Sequence, residues 1–169
     1  MKRMILLSLF CLAGIVMANA QRFALIDMEY IMENIPEYQQ ANNELELASQ
    51  QYQKAVEAKA KEAEALYLAY QKAANTLSAT QRTQKEEAIV AKEREAAELR
   101  KKYFGPEGEM AQKQEALIAP IQNRIYEAVK QISSQKGYDA VIDRASATSI
   151  IFASPRIDIS NEVLVKLGY

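Results

Sequence analysis

Residues 37–104 read EYQQANNELELASQQYQKAVEAKAKEAEALYLAYQKAANTLSATQRTQKEEAIVAKEREAAELRKKYF, a run of 68 residues without a glycine or a proline. Ala, Glu, Gln, Lys and Leu fill it, and these residues lose little rotamer freedom in a helix. At about 1.5 Å per residue one straight helix of that length would reach ~100 Å, too long for a compact globule. Short β-patterned segments flank it, at 23–27 and 138–153. The pattern predicts an α+β chain in which a long antiparallel helical hairpin, coiled-coil-like, is rooted in a small β body built from both chain ends. Such an arm suits a reaching or grasping protein better than an enzyme with a pocket.

Along the outward leg, apolar or small residues recur at Tyr38, Ala41, Leu45, Ala48, Tyr52, Ala55, Ala63, Leu66, Tyr70, Ala73 and Leu77, with Lys59 as the polar exception. Steps of three and four make this a heptad seam, though an alanine-rich and weak one. The reversal is expected at 75–80, where Ser78 with Gln81 three residues on fits a capping box. The returning leg carries Ala88, Ala91, Glu95, Leu99 and Lys102 on one face, and the stretch from Phe104 through Gly105, Pro106 and Glu107 to Gly108 breaks it. Beyond the break, apolar residues return at Met110, Leu117, Ile121, Ile125, Val129 and Ile132, with Pro120 as a further bend and Gly137 as the helix end.

The chain ends supply the β body. Residues 23–27 (FALID) read as a short strand buried on both faces, and Asp27 can cap a short helix that Pro36 ends. Residues 138–143 read as a second strand and 149–153 (SIIFA) as a third. Ser160 can cap a last short helix that stops at Gly168. Three short strands cannot hide their edges alone, whereas three chains giving three strands each could. The expected interface residues are Phe23, Leu25, Ile26, Val141, Ile142, Ile150, Ile151 and Phe152.

The first twenty residues combine Lys2 and Arg3, an apolar run from Met4 to Met17, and Ala18, Asn19 and Ala20 as a small-x-small site. That is a secretory signal peptide cleaved after Ala20. Phe10, just before Cys11, is too bulky for a lipoprotein site, so a soluble exported product is expected. Cleavage would remove the one cysteine and shift the formal charge from −1 to −3, by loss of Lys2 and Arg3. Without disulfides, the mature chain depends on packing or self-association. The expected division is residues 1–20 signal peptide, 21–36 and 137–169 β body and trimerisation region, and 37–136 hairpin arm.

With no histidine anywhere and cysteine only at position 11, the mature chain offers no His/Cys metal cluster, thiol nucleophile or serine–histidine triad. Gly105 and Gly108 flank Glu107 and do not lead into a phosphate loop. Glu86 and Glu87 point in different directions, and Asp139 and Asp143 suit strand ends. No cofactor, metal or catalytic residue is expected, and export with an acidic total disfavours nucleic acid. Two features of the arm suggest contact with other chains. From 71 to 85 the sequence holds Lys72, Arg82 and Lys85 and no acid, so the tip is cationic and suited to anionic clients or a weak contact with anionic lipid. Tyr67 lies off the seam beside Leu68, an amphipathic pair suited to unfolded chains.

The order of parts resembles the Skp (OmpH-like) periplasmic chaperone family. The most specific segments are Phe23-Ala24-Leu25-Ile26-Asp27-Met28, Ile125-Tyr126-Glu127-Ala128-Val129-Lys130 and Tyr138-Asp139-Ala140-Val141-Ile142-Asp143. The resemblance implies a homotrimer, a body with three tentacles, that holds unfolded outer-membrane proteins in the periplasm without ATP. The rival reading is a structural coiled-coil adaptor of the cell envelope.

Overall fold

A computed structural model describes residues 22–147 and 149–169; the segment read as a signal peptide lies outside them. The described chain is mostly helical, with a small two-stranded sheet. Its elements are β1 (Phe23–Ile26), α1 (Met28–Glu33), α2 (Pro36–Ala73), α3 (Ala79–Phe104), α4 (Glu109–Lys136), β2 (Ala140–Asp143), a 3₁₀ turn (Pro155–Ile157) and α5 (Ser160–Leu167). Contacts divide it into two compact units: the described residues up to Ile31 with Tyr126–Tyr169, and Met32–Ile125.

In the first unit β1 and β2 pair in parallel, Phe23 opposite Ala140 through Ile26 opposite Asp143. The ladder is extended at both ends, by Asp139 N–H donating to Arg22 O (2.8 Å) and Arg144 N–H to Ile26 O (2.8 Å). The other edge of β1 is taken by the C-terminal segment, where Leu25 bridges Asp158 and Ile159 N–H donates to Leu25 O at 2.9 Å. β1 is thus the central element, which explains its apolar run: Ala24, Leu25 and Ile26 are all buried.

Polar side chains fix the corners. Asp27 caps α1, its Oδ1 accepting from Tyr30 N–H at 2.9 Å. Its Oδ2 takes Arg144 at 3.0 Å, and Arg144 also reaches Asp158 at 3.5 Å. Asp143 Oδ1 accepts from the N–H groups of Met28 and Ala145, both at 3.1 Å. Ser160 corrects the expectation of a capping serine. It is the first residue of α5, Asp158 Oδ1 accepts from its N–H (2.9 Å), and its buried hydroxyl accepts from Asp27 N–H at 2.8 Å. Two glycines end helices as expected, Gly137 (φ 68°) after α4 and Gly168 (φ 95°) after α5.

The third strand expected at 149–153 does not form. That segment is irregular, with Ile151 and Phe152 fully or largely exposed, because nothing in its own chain covers these apolar side chains and a short strand needs a buried face to hold it. Pro36 opens α2 as its first residue, while α1 stops at Glu33.

The second unit contains the hairpin. α2 runs 38 residues, about 57 Å at the standard rise. The reversal lies where expected: Ser78 caps α3, and the reciprocal capping box closes through Gln81 N–H to Ser78 Oγ (3.3 Å) and Ser78 N–H to Gln81 Oε1 (3.0 Å). The seam of the returning leg is rotated by one position from that expected. Ile89 and Ala96 are buried while Ala88 and Ala91 are exposed, since Ile89 is the bulkier neighbour and the more favourable to cover. Lys59, the polar exception of the α2 seam, faces exposed Glu95 in a four-charge layer. Lys59 meets Glu62 at 3.0 Å and Glu95 at 3.8 Å, and Lys92 meets Glu95 at 2.8 Å and Glu62 at 3.4 Å.

Two expectations follow. Asp143→Ala strips acceptors from two N–H groups and should cost about 1–3 kcal/mol. Desolvation pushes the Asp143 carboxyl up, but the hydrogen bonds from Met28, Ser146 and Ala145 outweigh it and leave it lowered. A lowered carboxyl stabilises the fold above its unfolded value and stops doing so as pH falls through the folded one. The variant should therefore lose part of its acid limb as well as stability at neutral pH; equal acid limbs in urea titrations from neutral pH to pH 3 would contradict the role. Replacing Lys59 by Leu should extend the α2 seam and raise hairpin stability by up to about 1 kcal/mol, because half-exposed ion pairs contribute little. Thermal melts of both proteins check this.

Candidate functional site

The hairpin and the β-containing unit each present side chains that a folded monomer does not bury. On α2, Tyr67 and Leu68 are both 48% exposed, and the Tyr67 hydroxyl accepts from Gln71 Nε2 at 2.8 Å. Seam residue Tyr70 behaves differently: half-buried, it donates to Glu86 of α3, which raises its own pKa. Tyr67 is left outward because its neighbour Leu66 holds the seam together with Tyr70, four residues later.

The tip is cationic, as the charge pattern indicated. Lys72 lies in the last turn of α2, Arg82 and Lys85 lie early in α3, and all three are exposed. Lys72 suits the negative end of its helix dipole. Arg82, the fourth residue of α3, stands near that helix's positive end, whose first turn holds no acid, and Lys85 lies about one turn further on.

Nearer the chain ends the returning leg breaks between α3 and α4. A side chain at Gly105 would put its Cβ 2.4 Å from Lys101 O, and one at Gly108 would lie 2.8 Å from both Gly105 N and Tyr103 O. Neither glycine can be replaced without moving backbone. Opposite the break, Tyr52 stacks on Tyr103 (centroids 4.1 Å apart, planes 8°) and meets the edge of Phe104 at 6.4 Å. Its hydroxyl also donates to Glu109, the first residue of α4, and Glu109 takes Lys102 at 3.1 Å. The Glu109 hydrogen bond raises the Tyr52 pKa, and the same bond followed by the Lys102 contact lowers that of Glu109. Farther along, Lys113 meets Glu44 at 2.5 Å and Arg124 meets Glu37 at 3.1 Å.

Sequence reasoning missed several exposed apolar side chains. Leu47, Val90 and Tyr126 are each exposed by 60% or more. Val90 follows Ile89, and one of two adjacent residues must leave a helical seam; that signal was present.

Of the residues expected at an interface, Leu25 and Ile26 are covered within their own chain. Val141 and Ile150 are half-buried, and Phe23 (45%), Ile142 (40%), Phe152 (84%) and Ile151 (101%) are exposed. In the second unit a shallow depression of about 760 Å³ lies at the Gly105–Gly108 break, lined mostly by charged groups such as Lys101, Lys102 and Glu109. Among the described residues no cluster of His, Cys, Asp and Glu is placed to hold a metal ion, and no helix is long and apolar enough to cross a membrane.

The chaperone protein Skp of Yersinia enterocolitica is 27% identical over 153 residues, covering 90% of each chain. An OmpH-like protein of Caulobacter crescentus, described as an outer membrane chaperone, shares the fold with a TM-score of 0.66 at 12% identity, over 87% of this chain and 83% of that one. The outer membrane protein (OmpH-like) family matches residues 22–167, nearly the whole of the described chain. The chain belongs to the OmpH-like family.

Proposed function

We propose that the protein is a periplasmic holding chaperone that works without ATP. It binds unfolded outer-membrane β-barrel proteins and prevents their aggregation, as a homotrimer, after cleavage behind Ala20. Family membership and a relative named as a chaperone support this reading. The observation that carries it is the hairpin, whose outer surface combines exposed apolar side chains, Tyr67, Leu68 and Val90, with cations at the tip. The exposed charge of Lys72, Arg82 and Lys85 supports contact with something anionic outside the helix. Clients rich in acidic loops, or anionic lipid, fit it.

Assembly rests on a second surface. Phe23, Ile142, Ile151 and Phe152 leave apolar area in water that one chain does not cover. Val141 and Ile150 border it, and further chains would bury it. Leu25 and Ile26 contribute from beneath, by holding β1 in place.

Two measurements test the proposal. A urea-unfolded β-barrel protein is diluted into buffer with the mature protein and no ATP, and turbidity is followed; suppression is expected at about one trimer per client. Raising salt should slow capture more than it weakens the complex, as exposed charges are screened beyond about 8–10 Å. Absence of suppression would leave the structural adaptor in front. Ile151→Asp should place an unpaired charge in the shared surface, at about several kcal/mol. Light scattering should then show a smaller species; a variant that remains trimeric with an unchanged melting temperature would remove this segment from the interface.

A further inference from the structure

Besides its seam, α2 carries a second heptad on its outer flank. Leu47, Lys54, Lys61 and Leu68 stand seven residues apart, and all four are exposed. Gln51, Ala58, Ala65 and Lys72, exposed as well, interleave with them at steps of four and three. Such a series stays on one side of a helix in a coiled pair, so one stripe runs about 37 Å from Leu47 to Lys72. It holds no acid. The acids of this stretch lie beside it, Glu62 on one border and Glu57 with Glu64 on the other.

Charge pairing divides by face. Lys59, on the seam, meets Glu62 and Glu95. On the stripe, Lys54, Lys61 and Lys72 form no ion pair among the described residues. Glu57 precedes Lys61 by four residues, the spacing that favours a pair, yet it takes Gln53 Nε2 at 3.2 Å instead. Three cations are therefore left unneutralised in line, and two large apolar side chains accompany them, Leu47 (60% exposed) and Leu68 (48%).

A stripe of this form selects among anionic partners. A flat anionic membrane laid on it would meet the bordering glutamates as well as the lysines, and repulsion would offset the attraction. A single extended chain is narrow enough to lie between the two acidic borders. Unfolded polypeptide populates the polyproline II form, in which residues three apart share a side and recur about every 9.3 Å. Lys54 and Lys61 recur about every 10.5 Å along α2, at the standard rise. We propose that the stripe is a docking track for an unfolded, extended polypeptide whose acidic residues stand three apart with apolar residues between them. Lys54 and Lys61 read its acids, Leu47 and Leu68 take its apolar side chains, and Lys72 leads on to the cationic tip. That its natural occupant is a client protein rests on the chaperone reading; the selectivity of the stripe does not.

Fluorescence anisotropy on the mature full-length protein tests this at about 0.05 M salt, with a labelled peptide of four Asp-Leu-Ser repeats and its counterpart of four Lys-Leu-Ser repeats. The acidic peptide should bind about tenfold or more tighter than the basic one. Lys54→Gln together with Lys61→Gln should weaken it about tenfold, and Leu68→Ser several-fold. Arg100→Gln together with Lys101→Gln removes the same charge from exposed positions of α3 and should leave the affinity within about twofold. Equal losses from the two double variants would reduce the effect to net charge and overturn the track, as would equal affinity for the two peptides. Vesicles of anionic phospholipid form the third arm. Vesicle binding that falls in the Lys54 and Lys61 double variant, with peptide binding unmoved, would give the stripe to lipid and likewise overturn it. All these positions are exposed, and thermal melts report whether each variant is folded. A protein that suppresses β-barrel aggregation but does not prefer the acidic peptide loses the track and keeps the chaperone reading. One that binds the peptide through Lys54 and Lys61 but suppresses nothing keeps the track and loses that reading.

Discussion

The parallel ladder between β1 and β2 is the constraint on which everything else depends. It joins residues more than a hundred positions apart: the hydrogen bonds between Arg22 and Asp139 span 117 residues. A parallel pair cannot be closed by a tight turn, so the intervening chain must leave and return. In ordinary folds one crossover helix does this. Here α1 to α4 do, and the hairpin is the crossover. The ordering entropy of so long a closure is met at the join itself, where β1 is buried, bonded on both edges and cornered by Asp27, Asp143, Arg144, Asp158 and Ser160.

Within the hairpin a different problem is solved. An alanine-rich seam specifies its register weakly, because one small residue packs much like another. The polar layer supplies what the seam lacks. Lys59 occupies a seam position of α2 and Glu95 flanks the seam of α3, and a slip of either leg would separate Lys59 from Glu95 and Lys92 from Glu62. Their net contribution to stability is small, and their contribution to uniqueness is larger, as with a single polar residue in a coiled-coil core. The aromatic contact of Tyr52 with Tyr103 fixes a second point of the register.

Much of this was legible in the residues. The hairpin, its turn at Ser78, the break after Phe104 and both short strands follow from local chemistry: absence of Gly and Pro, a capping box, a glycine–proline cluster and short apolar runs. What was not legible depended on distant partners. The rotation of the α3 face is set by which side chains of α2 it meets, and Ile89 outweighs the alanines that periodicity alone would choose. The segment SIIFA has every local mark of a strand, but no part of its own chain covers it, and β1 pairs its second edge with Asp158 and Ile159, which no local pattern announces. Ser160 reads as a cap from its neighbours alone, and only the fold brings Asp27 N–H to its hydroxyl. At the candidate site, Tyr67 and Leu68 were found by being off the seam, whereas Leu47 and Val90 were not.

The span of the ladder has a consequence for synthesis. β1 is among the first described segments to be made, and β2 follows it by more than a hundred residues. At ordinary rates of translation that interval is on the order of ten seconds. Throughout it an apolar strand, Phe23–Ile26, has neither of its neighbours, since Asp158 and Ile159 come later still. The helical hairpin, by contrast, is made of near neighbours and can form as it emerges. A protein of a chaperone family therefore passes through a state in which its own central strand is bare, and in that interval it presents the kind of apolar, edge-exposed segment that other proteins must be shielded from.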